Sequence, residues 1–223
     1  MHQGVIMSEI SNLFPVWYHL TEEQKQLLND KVYIKDVKKG TVLHRGDEDC
    51  DGLYIVRTGQ LRAYIISDQG KELTLYRLFE MDICLFSASC ILSNIQFEII
   101  VEAEKDTSIL IIPVRVYQKL METNNAVANY TNHLMASRFT DVMWLIDQVL
   151  FKSMATRLAS FLLYESNIEE SDELNITHEK IANHIGTARE VVTRMLKYFQ
   201  QEDLIKMSRG SIIITDRKKL ENV

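Results

Sequence analysis

Four residues near the end of this 223-residue chain have the types and spacing for reading another molecule: Arg189, Glu190, Thr193 and Arg194. At roughly 100° per residue, a helix over 188–201 gathers them on one side, nearly opposite Val192, Met195, Leu196 and Phe199. The apolar side can seat against a core and leave the polar side free to enter a groove. The chemistry is that of base recognition. Arginine donates a bidentate pair to guanine O6 and N7, glutamate accepts from cytosine N4, and threonine offers a hydroxyl or a methyl. The net charge of −6 argues weakly against nucleic acid, but Leu174 to Lys219 holds nine basic against five acidic residues, the minimum a phosphate backbone requires.

Flanking residues supply the elements to position that face. Thr177 to Ala182 forms a short helix with Thr177 as its cap. His184-Ile185-Gly186-Thr187 makes the turn, with Gly186 giving the permissive backbone, and the helix resumes at Ala188, which is a helix-turn-helix outline. Thr187 is expected to cap the second helix. Thr187-Ala188-Arg189-Glu190 is also a capping box, so Glu190 could bond back to the cap amide rather than read a base, and the arginines could be solvated surface. Leu204 to Met207 and Ser211 to Ile214 flank Ser208-Arg209-Gly210 and read as a hairpin wing, with Lys206 and Arg209 as phosphate contacts. A helix from Met154 to Glu165 precedes these elements, followed by an acidic segment, Ile168 to Glu173, read as a solvated connector.

The N-terminal part is punctuated differently. Five of the eight glycines fall between Gly40 and Gly70, with period-two alternation on both sides of Ser67-Asp68-Gln69-Gly70-Lys71. Strands are expected over Val32 to Ile34, Val42 to His44, Leu53 to Val56, 61–65, 73–76, Phe97 to Ala103 and Ser108 to Ile112, closing as a jelly roll or small barrel. Between Pro113 and Gly186 neither glycine nor proline occurs, so helix is expected. Met135, Phe139, Val142, Ile146 and Val149 then step by four and three like a seam that pairs two helices, though the same stripe could pack on the chain's own strands. The fold class expected is α+β: an N-terminal jelly roll plus dimerisation helix over 1–149 and a winged helix-turn-helix over 150–223, with the boundary near Leu150 to Ser153.

Composition narrows the alternatives. With 46% hydrophobic and 25% charged residues the chain is globular; it carries no apolar run of membrane-spanning length and no signal-peptide pattern, so no membrane partner and a cytoplasmic location are expected. Cys50, Cys84 and Cys90 contain no CxxC and suit neither a disulfide framework nor a metal site, although Cys84 and Cys90 could act as a redox switch. A cupin-like metalloenzyme would need several histidines and carboxylates inside the barrel, and His44 is the one histidine in residues 30–113. No enzyme activity, metal or cofactor is expected.

The helix-turn-helix residues Ile176-Thr177-His178-Glu179-Lys180-Ile181-Ala182 and Gly186 to Leu196 resemble those of the Crp/Fnr superfamily of bacterial transcription regulators, and Leu204-Ile205 follows in place. Lys39-Gly40-Thr41, Arg45-Gly46-Asp47, Leu53 to Val56, Thr58-Gly59 and Asp68 to Glu72 resemble the same family's cyclic-nucleotide-binding-type jelly roll. The resemblance implies a homodimeric regulator that binds a pseudo-palindromic operator on double-stranded DNA, with RNA polymerase as a further partner. It assigns Arg189, Glu190 and Arg194 to bases, Thr193 to a base or adjacent contact, and Thr177 to phosphate. Cyclic AMP binders of the family hold the cyclic phosphate with an arginine, whereas no arginine lies between Arg77 and Arg115 here, so the effector is expected to be an unidentified uncharged or apolar molecule. Its pocket is expected to involve Cys84, Leu85 and Phe86 with Val142 and Met143, the pair standing where cyclic AMP sensors present Thr-Ser. The iron–sulfur branch of the family uses an N-terminal cysteine cluster, and no cysteine precedes Cys50.

Overall fold

A computed structural model describes residues 9–46, 51–85 and 98–223. The chain divides into two units, Met1–Ile65 with Leu75–Val142, and Ile66–Thr74 with Met143–Val223.

Two apolar strands set the layering of the first unit. In β3 (Gly52–Thr58) and β8 (Thr107–Pro113), alternate residues face opposite ways, and neither side is left to water. Tyr54, Val56, Ile109 and Ile111 point into one core, and Leu53, Ile55, Leu110 and Ile112 into another. With β1 (Tyr33–Val37) and β6 (Ile83–Cys84), these strands form one sheet, in the order β1-β8-β3-β6. The second sheet runs β2-β7-β4-β5, from β2 (Val42–Arg45), β4 (Leu61–Ile66), β5 (Glu72–Leu78) and β7 (Ile100–Ala103). The first core lies between the sheets and adds Leu61 and Val101. The other lies between the first sheet and helices α1 (Glu22–Lys31), α2 (Val114–Thr123) and the start of α3 (Asn125–Phe151), through Leu28, Tyr117, Leu120 and Val127. This is the expected double-sheet jelly roll with a helical layer on its back.

The strands expected from alternation are present, except that the one expected from Phe97 is described from Ile100. The sequence reading missed β6 and α1. A two-residue strand carries no period, but α1 opens on a capping box that was there to be read: Gln24 N donates to Thr21 Oγ1 at 3.3 Å and Thr21 N to Gln24 Oε1 at 3.0 Å.

Helix α3 runs 27 residues and ends at Phe151. Its buried residues, Val127 and Thr131, lie near its start. Along the seam, Met135, Phe139, Ile146 and Val149 are 41–67% exposed and Val142 is half-buried.

In the second unit, α4 (Met154–Ile168), α5 (His178–Ile185), α6 (Arg189–Gln201) and α7 (Arg217–Glu221) enclose a core with a three-stranded sheet of β9 (Glu173–Leu174), β10 (Ile205–Ser208) and β11 (Ser211–Ile214), in the order β10-β11-β9. Leu158, Leu162, Ile181, Leu196, Phe199 and Ile212 are at its centre. The hairpin β10 (Ile205–Ser208) and β11 (Ser211–Ile214) is the expected wing. The acidic segment departs from the expected connector at its end: Glu173 and Leu174 form β9 against β11, and Ile214 N donates to the Asp172 carbonyl at 2.9 Å. Leu174 anchors that strand in the core, and one apolar residue leaves no pattern to detect.

Candidate nucleic-acid interface

The turn between α5 and α6 decides which way α6 presents its side chains. Thr177 caps α5 as expected, its hydroxyl accepting from Lys180 N at 3.1 Å. The helix stops at Gly186, whose φ of 68° lies in the left-handed region that a side chain disfavours. From α4, the Arg157 guanidinium donates to the Ile185 carbonyl, placing a cation at the C-terminal end of α5. Burial lowers the pKa of Arg157. Sequence reasoning did not single out Arg157, because the carbonyl it satisfies is backbone and carries no residue signature.

Thr187 does not cap α6. Its amide closes α5 by donating to the Ala182 carbonyl at 3.0 Å, and α6 opens one residue later with Ala188 as N-cap and no side-chain cap bond. Ending α5 takes the left-handed Gly186 and the amide of Thr187, and helical geometry resumes only after Ala188. No side chain caps the first turn of α6, where Val191 N donates to the Ala188 carbonyl at 3.0 Å. The capping-box alternative for Glu190 therefore falls, and its carboxylate is exposed.

Along α6, Val192, Leu196 and Phe199 are buried and Met195 packs against the same core, while Arg189, Glu190 and Arg194 are exposed and Thr193 is half-buried. The four polar residues meet with Lys197 around an open concavity of about 350 Å³. Lys197 was missed, although it continues the four-residue step from Arg189 through Thr193. Three cations against one carboxylate make this a positively charged hollow on a surface that is otherwise net acidic. Thr193 Oγ1 donates back to the Arg189 carbonyl at 2.9 Å, and His178 Nδ1 lies 2.9 Å from the same hydroxyl. Burial, and then the charge of Arg189, lower the pKa of His178. In the wing, Lys206 and Arg209 are exposed, and Gly210 takes a φ of 87° at the tip.

The residues expected to line an effector pocket are distributed over several elements. Cys84 and Leu85 are both buried, Cys84 in the core between the sheets and Leu85 in the core under the helices. Val142 is half-buried, Met143 is exposed, and Phe86 lies outside the described residues, as do Cys50 and Cys90. The cationic groups come from elsewhere. Arg138 of α3 stacks over the ring of Tyr76 at 4.5 Å and pairs with Asp141 at 2.9 Å. Burial, and then Cys84 beside it, push the Tyr76 hydroxyl well up. Arg77 Nε meets Glu104 Oε2 at 2.8 Å with both side chains almost wholly buried, and Gln60 Nε2 donates to the same oxygen at 2.7 Å. His44 is buried, and among the described residues no three His, Cys, Asp or Glu side chains gather as metal ligands.

Comparison with known proteins covers both halves. The Crp-like helix-turn-helix domain matches residues 156–223, and the cyclic nucleotide-binding domain matches residues 34–124. A solved structure from Eubacterium rectale, described as a transcriptional regulator of the Crp/Fnr family, is 58% identical, covers 95% of this chain and 98% of its own, and superposes with a TM-score of 0.93. The fumarate and nitrate reduction regulatory protein of Yersinia pestis is 22% identical over 98% of this chain and 88% of its own length. The cAMP-activated global transcriptional regulator CRP of Pasteurella multocida is 23% identical over 79% and 86%.

Proposed function

Since the chain belongs to the Crp/Fnr family of transcriptional regulators, and is thus a DNA-binding regulator, we propose how it reads its operator. Two protomers pair along the α3 seam of Met135, Phe139, Val142, Ile146 and Val149. The paired α6 helices enter successive major grooves about 34 Å apart on a pseudo-palindrome. Arg189 and Arg194 take guanines, Glu190 accepts from cytosine, and Thr193 touches a base beside them. Thr177, Thr187, Lys206 and Arg209 hold phosphate, and Lys197 joins them. The observation that carries this reading is the concavity on α6, where four side chains of base-reading type converge while the opposite face is locked in the core. Such a protein works in the cytoplasm beside RNA polymerase.

The effector in this reading is uncharged or apolar. Its support is that Arg138 is paired with Asp141 and Arg77 with Glu104. Effector binding favours one arrangement of the α3 pair and so sets the spacing of the reading helices. Selection of bound sequences from random DNA, with and without cell extract, tests the whole proposal. A two-fold symmetric site with guanines in each half, enriched more strongly with extract, is the expected result, and recovery of no common sequence under either condition contradicts it.

A further inference from the structure

His178 and Thr193 lie fifteen residues apart on different helices, yet their side chains share a hydrogen bond, His178 Nδ1 to Thr193 Oγ1 at 2.9 Å. A threonine hydroxyl has one proton. Here that proton goes to the Arg189 carbonyl, which can only accept, at 2.9 Å. Nδ1 must therefore be the donor to Oγ1, which assigns the Nδ1–H tautomer of His178. The relay runs from imidazole N–H to hydroxyl to backbone carbonyl. Two bonds on one oxygen hold the χ1 of Thr193 in a single rotamer, where threonine in a helix otherwise divides between two.

We infer that His178 is a positioning residue for DNA specificity: it engages the Thr193 hydroxyl, so that Thr193 presents its methyl to the groove and selects the C5-methyl of a thymine. This rests on the base-reading assignment of α6 and adds to it the kind of base and the residue that enforces the choice. With its proton committed, Thr193 cannot donate to guanine O6, thymine O4 or a purine N7. The methyl carbon is the part of the side chain that takes no hydrogen bond, and thymine is the base with a methyl in the major groove.

The test uses the full-length protein and its selected duplex, with each thymine in turn replaced by deoxyuridine, which removes the methyl and keeps the hydrogen-bonding edge. For the unaltered protein, one replacement per half-site weakens binding about fourfold, the worth of one buried methyl. Thr193→Val keeps that penalty, because it retains methyl groups, and Thr193→Ser abolishes it. His178→Ala reduces the penalty towards one, and His178→Asn, whose amide N–H takes the place of Nδ1–H, restores it. Affinity for non-specific DNA and the thermal midpoint accompany each variant, so that a misfolded protein is not scored. A full thymine penalty in Thr193→Ser or in folded His178→Ala overturns the inference, as does the absence of any penalty in the unaltered protein. The base-reading assignment fails separately, through unchanged sequence preference on loss of Arg189 and Arg194.

Discussion

The face of α6 and the interior of the jelly roll are both places where charged side chains gather, and they are assembled in opposite ways. On α6 the groups come from nine consecutive residues, stay exposed, and keep their positive excess. In the jelly roll, Arg77 and Glu104 come from β5 and from beyond β7, are almost fully buried, and cancel each other. Arg138 reaches Tyr76 from a helix, with Asp141 one turn further along. The difference separates two uses of charge. An uncancelled charge at the surface is available to a partner, whereas a cancelled charge in the core holds the fold and resists being opened to a charged ligand.

Substitutions can sharpen that contrast. The largest effect is expected from Glu104→Ala, which removes the carboxylate paired with the buried Arg77 and bonded to Gln60. Breaking a buried pair from one side costs about 3–5 kcal/mol, read as a fall in the denaturant midpoint. Arg189→Ala or Arg194→Ala does the reverse. Each costs roughly 1–3 kcal/mol at the selected site, while the midpoint stays within about 0.5 kcal/mol of the unaltered protein. If Glu104→Ala left the fold unmoved, or an α6 arginine proved necessary for it, the division between the two regions would fail.

Smaller effects follow on the same elements. Thr177→Ala removes the cap of α5 and costs about 1 kcal/mol of stability, measurable by thermal unfolding. The smallest concerns His178. Its folded pKa is depressed below the ordinary 6.5, through burial and then Arg189, so the unfolded chain takes up the proton first as pH falls. Its contribution to stability is present above pH 6.5 and is lost as pH drops through the lowered folded value. A thermal midpoint followed from pH 7.5 to 5 should fall less steeply in His178→Asn than in the unaltered protein.

The same contrast explains what could be read in advance. The two faces of α6 were apparent because a thirteen-residue helix carries its own period, and Val192, Leu196 and Phe199 are buried as that period requires. The strand pattern of the jelly roll was equally local. Thr187 shows how a local signal fails: the capping box is correct in spacing, but the end of α5 needs the same residue, and that demand comes from a different helix. The bonds from His178 to Thr193, Arg157 to Ile185 and Arg138 to Tyr76 join elements that only the fold brings together, so nothing in the spacing announced them. Cys84 and Leu85 fall in the segment that corresponds to the family's cyclic-nucleotide site, and the fold places Cys84 in the core between the sheets and Leu85 in the core under the helices, which the sequence does not separate.

The most direct test of the account compares sequence preference on one random DNA pool for the unaltered protein and for Arg189→Ala combined with Arg194→Ala. The account predicts that the double variant keeps its fold and a salt-dependent affinity for DNA in general, and loses enrichment of the guanines in each half-site. Recovery of the same site at the same enrichment by both proteins would contradict it, because the guanidinium groups of α6 would then not be what reads the bases.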